Sequence, residues 1–325
     1  MAENVGADDD DAGDVFVYTG QPVVPLNVAH VRIDPSITKI PEDAFQWCDE
    51  LVSVQMHDAV EEIMGWAFYG CSSLRLISLK GVERVGEAAF KACSSLSCLE
   101  FSDNLDRIGN SAFECCVSLK QIILRNVTVI GRRAFGDCRD VTTVECGEKL
   151  IIIEEGAFNR CHSLKRVVIP LRNTMIGFYD GAFNCDELST IELVDSIHKT
   201  ISSFHLDCWK NEMTQLINRV QLSLRTTPTS SKTTCIQNWM VSVHRSFNKY
   251  KRQHEKMIKD ASTLLELALW KFMLEETNEV SISEVKPNKR AKVDVNNTRM
   301  QVRVTSGAVM SIVIKNVFPY LRLKE

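Results

Sequence analysis

Twelve cysteines in 325 residues make sulfur the first chemistry to consider. A thiolate can hold zinc, attack a carbonyl or exchange with a disulfide, and each use demands its own setting. Zinc sites gather close ligands, usually as C-x(2–4)-C pairs. Here Cys48, Cys71, Cys93, Cys116, Cys138 and Cys161 follow one another at 22 or 23 residues, with Cys185 next. The adjacent Cys115 and Cys116 would point apart, and Cys93 with Cys98 lacks two further ligands. Such spacing reads as one buried structural thiol per repeat. Histidine supplies no catalyst either. His162 follows Cys161, but adjacent side chains rarely face one another, so it reads as a surface residue. His57, His198, His205, His244 and His254 stand in no triad, H-E-x-x-H or H-x-E context. Neither G-x-x-x-x-G-K-[ST] nor G-x-G-x-x-G occurs. No catalytic, cofactor-binding or metal-binding residue is therefore assigned, and the chain reads as a non-enzymatic protein without cofactors.

The elements that carry these thiols are repeats. Ala-Phe recurs with its Phe at 45, 68, 90, 113, 135, 158 and 183. Each of the first six Phe is followed three residues later by its Cys, whereas Cys185 arrives one residue early. Leu51, Leu74, Leu96, Leu119, Val141, Leu164 and Leu188 lie three residues beyond the thiols. Apolar pairs such as Ile77 and Leu79, or Ile122 and Leu124, come next, and Ile63, Val85, Ile108 or Ile130 sits five residues before a Phe. Alternation in L-x-x-I-x-L predicts a short strand. The G-x-x-A-F-x-x-C arc predicts a brief helical turn opposite it. One such coil cannot bury its apolar edge alone, so coils stack into a parallel ladder about 4.8 Å apart. The Phe side chains then line up along the interior. Residues 28–33 match the strand half of a repeat, and Val15–Tyr18 adds a further strand, so both cap the open end.

The pattern I-G-x-x-A-F-x-x-C-x-S-L-x-x-I-x-L, clearest in residues 108–124 and 130–146, resembles the BspA-type leucine-rich-repeat family. The resemblance covers roughly residues 28–195. It implies an α/β leucine-rich-repeat solenoid of about seven 22–23-residue repeats, to which the apolar spacing beyond residue 195 adds a helical C-terminal region. Bacterial members of that family are typically secreted or surface proteins. Intracellular eukaryotic microbial members also exist. The first fourteen residues, MAENVGADDDDAGD, offer neither a basic n-region nor an apolar h-region. No apolar run is long enough to span a membrane. The expectation is thus an intracellular eukaryotic member, cytoplasmic or nuclear, with reduced thiols.

The domains read as an acidic disordered tail over 1–14, the solenoid with its capping strands over 15–195, and a helical region over 196–276. A linker over 277–300 and an apolar segment over 301–325 that docks back complete the chain. Trp209, Met213, Leu216, Ile217 and Val220 have helical spacing. So do Ile236, Met240, Val243 and Phe247, and a third stretch runs from Leu264 to Phe272. Residues 225–231 read as a loop. The preferred reading has these helices cover the last repeat, and the alternative is a dimerisation or partner-binding pair. Lys289, Arg290 and Lys292 in the linker resemble a nuclear localisation signal.

Charge is divided. Residues 1–200 hold 18 basic against 31 acidic side chains, and residues 201–325 hold 20 against 11, which together give the net −4. The halves either attract each other or meet different partners. On the strand face, presumed concave, the residues pointing outward are Gln55, Ser78, Glu100, Ile123, Glu145, Val168 and Glu192. This acidic and apolar row predicts a protein partner and argues against nucleic acid on the repeats. The function read from sequence is a protein-interaction scaffold. The rival is a nuclear regulator whose basic C-terminal region, with Lys249, Lys251, Arg252, Lys256 and Lys259, contacts nucleic acid.

Overall fold

A computed structural model describes residues 15–282 apart from 22, 172–175 and 205. Residues 1–14 and 283–325 lie outside the described residues. So do the acidic tail, the apolar segment 301–325 and the basic cluster Lys289, Arg290 and Lys292. The chain divides into two units, Met1–Lys251 and Arg252–Glu325.

The first unit is a parallel β-solenoid closed by helices. Its longer strands are β1 (Val15–Tyr18), β2 (His30–Ile33), β4 (Ser53–Gln55), β6 (Leu76–Leu79) and β8 (Cys98–Phe101). They continue as β10 (Gln121–Leu124), β12 (Thr143–Cys146), β14 (Arg166–Ile169) and β16 (Thr190–Leu193). Between them lie two-residue strands: β3 (Lys39–Ile40), β5 (Glu62–Ile63), β7 (Arg84–Val85), β9 (Arg107–Ile108), β11 (Val129–Ile130), β13 (Ile152–Ile153) and β15 (Gly177–Phe178). The short strands make one continuous seven-stranded ladder from β3 to β15. The longer ones form two sheets, β1-β2-β4-β6-β8 and β10-β12-β14-β16. Each coil thus contributes to two ladders, where the sequence pattern predicted one.

The expected interior is present. Seven successive Phe rings stack in six pairs, from Phe45–Phe68 to Phe158–Phe183, with centroids 4.9–5.6 Å apart and planes within 5°. Tyr18 tilts onto Phe45 at 4.9 Å and continues the column into β1. The arc around each Phe is not the brief helical turn expected. It is a run of tight turns with left-handed residues two before and two after the ring, such as Ala88 (φ 49°) and Ala92 (φ 63°), or Ser111 (53°) and Cys115 (63°). The reason lies in the backbone donors. Phe90 N donates to Ala112 O and Phe113 N to Ala134 O, each at 2.7 Å, so these amides bond the next coil and cannot build a helix within their own. The glycine before the arc is needed for close approach. A Cβ on Gly109 would lie 2.6 Å from the carbonyl carbon of Gly86.

The C-terminal face of the last coil is closed by α1 (Asp195–Ser202), α2 (Asp207–Thr226), a 3-10 turn (Thr229–Ser231) and the start of α3 (Lys232–Ile282). Phe183 has no following coil, and its N–H donates instead to Thr233 Oγ1 at 3.0 Å. Buried Lys232 donates to the carbonyls of Asp186 (2.6 Å) and Leu188 (2.9 Å). Gln237 reaches Phe178 O and Gln221 reaches Ile191 O. Met213, Ile217 and Val220 of α2 and Met240, Val243 and Phe247 of α3 are buried in the same core as the repeats. Side-chain donors and acceptors thereby replace the ladder that stops. Two boundaries differ from those read in the sequence. The second and third helical stretches are one helix, since no Gly or Pro interrupts residues 232–282. That helix also runs six residues into the supposed linker. α1 was not foreseen at all.

Candidate functional site

The thiols come first, because they are the most numerous reactive groups. Each of six donates its S–H to a Phe carbonyl of the preceding coil: Cys71 to Phe45 O (3.0 Å), Cys93 to Phe68 O, Cys116 to Phe90 O, Cys138 to Phe113 O and Cys161 to Phe135 O (3.1 Å each), and Cys185 to Phe158 O (3.0 Å). Each Phe from Phe45 to Phe158 thus has its N–H and its C=O satisfied by the following coil. Burial pushes the Cys48 thiol up to about 11 and that of Cys146 to about 12, and raises Cys71, Cys93, Cys116 and Cys138 further. These are buried neutral thiols, and those of Cys71, Cys93, Cys116 and Cys138 have their hydrogens engaged as well, the opposite of a nucleophile. His162 turns away from Cys161 and pairs through Nδ1 with Asp186 at 2.7 Å on the surface. Among the described residues no cluster of three His, Cys, Asp or Glu could hold a metal ion.

The outward residues of the strand face occupy matching positions in the ladders. Register pairs Ser78 with Glu100, Ile123 with Glu145, Glu145 with Val168 and Val168 with Glu192. Gln55 pairs with Arg32. Gln55, Glu100 and Ile123 are exposed, and Ser78, Glu145, Val168 and Glu192 are half-buried. The row is less acidic than its sequence suggests. Arg166, in the neighbouring outward column, bonds Glu145 Oε1 at 2.5 Å and Glu192 Oε2 at 2.8 and 3.1 Å. Sequence reasoning missed this residue. Its hydrogen bonds to Glu192 first, then to Glu145, raise its already high pKa. Two carboxylates of the row are thus spent on one guanidinium.

The face is interrupted between β8 and β10. Among the described residues no backbone hydrogen bond joins residues 94–102 to residues 117–124, although the ladder of short strands and the Phe column run on without a gap. Phe101 occupies the inward position held by Leu79, Leu124, Cys146, Ile169 or Leu193 in other coils. Its ring stands edge-on to Phe113 (5.5 Å) and Phe135 (6.3 Å). A ring in a column of smaller side chains wedges the two strands apart. The opening is a groove of about 1210 Å³, with Leu99, Phe101 and Ile123 on its walls and Lys80, Lys120 and Asp140 around them. A smaller hollow of about 340 Å³ adjoins it, lined by Ile123, Glu145, Arg166, Val168 and Glu192. Glu100 and Ile123 therefore line the first and Ile123, Glu145, Val168 and Glu192 the second, while Gln55 and Ser78 line neither.

Comparison with known proteins agrees with the coil pattern. The model of the family described as BspA type Leucine rich repeat region matches residues 25–138 and 122–222, in six copies. A search of curated protein sequences finds no match. Among solved structures the chain is similar to a leucine rich repeat protein of T. pallidum, with 26% identity over 55% of this chain and 83% of that one and a TM-score of 0.45. It is also similar to a leucine rich cell surface protein of Faecalibacterium prausnitzii, with 23% identity over 51% and 60% of the two chains and a TM-score of 0.34. Among the described residues no helix is long and apolar enough to cross a membrane.

Proposed function

Because the chain belongs to the BspA-type leucine-rich-repeat family, we propose that it is a non-enzymatic scaffold. It binds a protein partner on the outward strand face, at the groove between β8 and β10. The observation that carries this reading is the interrupted ladder. Among the described residues it leaves two strand edges unpaired with each other beside Leu99, Phe101 and the 42%-exposed Ile123. Unpaired edges and an apolar floor ringed by both signs of charge are what a polypeptide can satisfy with backbone hydrogen bonds and one apolar anchor. Nucleic acid fits this lining poorly, because Lys80 and Lys120 are balanced by Glu100 and Asp140. The engaged thiols and the surface position of His162 support a role without catalysis. On this reading the chain sits in a reducing, intracellular setting, where buried thiols that donate to carbonyls stay reduced.

Ile123→Asp tests the site. The side chain points outward while Ile122 and Leu124 hold the core, so the fold survives the change. Affinity capture from the source cells should recover partners with the natural chain and with a Gln55→Ala control, and lose them with Ile123→Asp. An unchanged set of captured proteins with Ile123→Asp refutes the groove as the binding site.

A further inference from the structure

The last part of α3 belongs to the second unit, and its sequence changes character along its length. From Arg252 to Thr263 polar and charged residues prevail, with Met257, Ile258 and Ala261 the apolar exceptions. Residues 264–274, LLELALWKFML, hold nine apolar residues of eleven, with only Glu266 and Lys271 between them. At 3.6 residues per turn such a run is apolar on every side. Leu264, Leu267 and Trp270 share one side, and they are 53, 60 and 68% exposed, with Met273 at 42% further round. A helix that is apolar all round belongs in a covered environment, not in water.

We propose that its occupant is this chain's own C-terminal segment, residues 304–321. Three observations select it over a second copy. The first is reach. Twenty-one residues, 283–303, separate Ile282 from residue 304, and a chain of that length reaches at most about 70 Å. The helix from Leu264 to Ile282 is about 27 Å long, so the tether returns the segment to the apolar run. The second is concentration. A short tether holds the segment at about millimolar effective concentration, which a second molecule at micromolar concentration does not match. The third is complementarity. Residues 304–321 carry Val309, Ile312, Val313, Val317, Phe318 and Leu321, which need burial as much as the helix does. Residues 264–282 contain Glu266, Glu275, Glu276 and Glu279 against the single Lys271, whereas residues 299–325 contain Arg299, Arg303, Lys315, Arg322 and Lys324 against the single Glu325. The segment therefore brings apolar surface and Lys315, and the residues flanking it on both sides bring the other four basic side chains, to a helix end rich in acidic residues and in exposed apolar ones. This inference does not depend on the groove in the repeats.

Photo-crosslinking of the full chain decides it. Leu267 is replaced by p-benzoylphenylalanine, the protein is irradiated at concentrations from about 1 to about 50 μM, all well below the millimolar effective concentration within one chain, and the linked peptides are sequenced by mass spectrometry. The expected product is a monomer whose position 267 is joined to a peptide within 301–325, in a yield that does not change with concentration. A cross-linked dimer whose yield rises with concentration overturns the proposal in favour of a second copy. Absence of any product, or links only to the repeats, overturns it as well. In the same background Val313→Asp combined with Val317→Asp should abolish the intramolecular link. An undiminished link in that variant also overturns the proposal.

Discussion

Phe113→Ala removes the middle of the aromatic column. Phe113 is fully buried, stacks on Phe90 at 5.1 Å and on Phe135 at 5.2 Å, and receives the edge of Phe101 at 5.5 Å. A buried aromatic side chain removes about 150–250 Å² from water, worth roughly 4–6 kcal/mol at about 25 cal/mol per Å². A compact unfolded chain lowers that by about a quarter, to roughly 3–4.5 kcal/mol. The retained Cβ subtracts from this and the lost ring pairs and residual cavity add to it, so the expected cost is about 3–5 kcal/mol. Urea unfolding followed by circular dichroism should show a lower midpoint at nearly constant slope. Hydrogen exchange should locate the damage. The amides of Phe90 and Phe113 donate across the coils, so protection should fall in the coils on both sides of the substitution, while the β1–β2 end keeps its protection. A loss under about 1 kcal/mol, or faster exchange confined to the substituted coil, would refute a shared aromatic interior.

Three further outcomes follow from other parts of the structure. In the native protein iodoacetamide should modify exposed Cys208 quickly and leave Cys71, Cys93, Cys116 and Cys138 untouched until the chain unfolds, as read by peptide mass spectrometry; equal rates would show that the thiol column is open. Glu114 is raised by burial but lowered more by its bonds to Lys91 and Ser111 and by Arg133, and the net result is a carboxyl below its ordinary range; Lys39 lowers Glu62 likewise. Their contribution is complete above the unfolded carboxyl pKa of about 4.3 and is lost as pH falls through the lower folded values, so melting temperature should hold from pH 7 to about 5 and drop below about 4, with a shallower drop in Glu114→Gln. Equal acid limbs in the two proteins would remove Glu114 from that account. Lys232→Met should destabilise the closed end by roughly 1–3 kcal/mol for each carbonyl left without a donor, measured by urea unfolding, and a neutral result would show that water serves these carbonyls equally well.

The period of the Phe, Cys and Leu positions was enough to predict coils, inward faces and the opening strand that ends in Tyr18. Each follows from local alternation and from the need of one coil to bury its edge against the next. The outward row from Gln55 to Glu192 was legible for the same reason, since a strand side chain that is not inward is outward. Its electrostatics were not. Arg166 reaches Glu145 and Glu192 across 21 and 26 residues, and only stacking brings them together.

The same limit explains the rest. An amide can bond within its own coil or to the next, and the neighbouring coil settled that choice, turning the expected helical arc into left-handed turns and a second ladder. A repeated Cys looked like a small core residue, and stacking set its S–H on the carbonyl of a Phe in the coil before. Thr233 and Lys232 carry no sequence mark of a cap, because the groups they satisfy lie 44 to 50 residues earlier. The groove arises from one ring, Phe101, that is larger than its counterparts in adjoining coils. Sequence by itself determined which faces must be buried, since hydrophobic periodicity is a local property. The tertiary structure decided which polar groups meet and where the ladder opens, because those depend on the bulk and hydrogen-bonding capacity of neighbours a whole coil away.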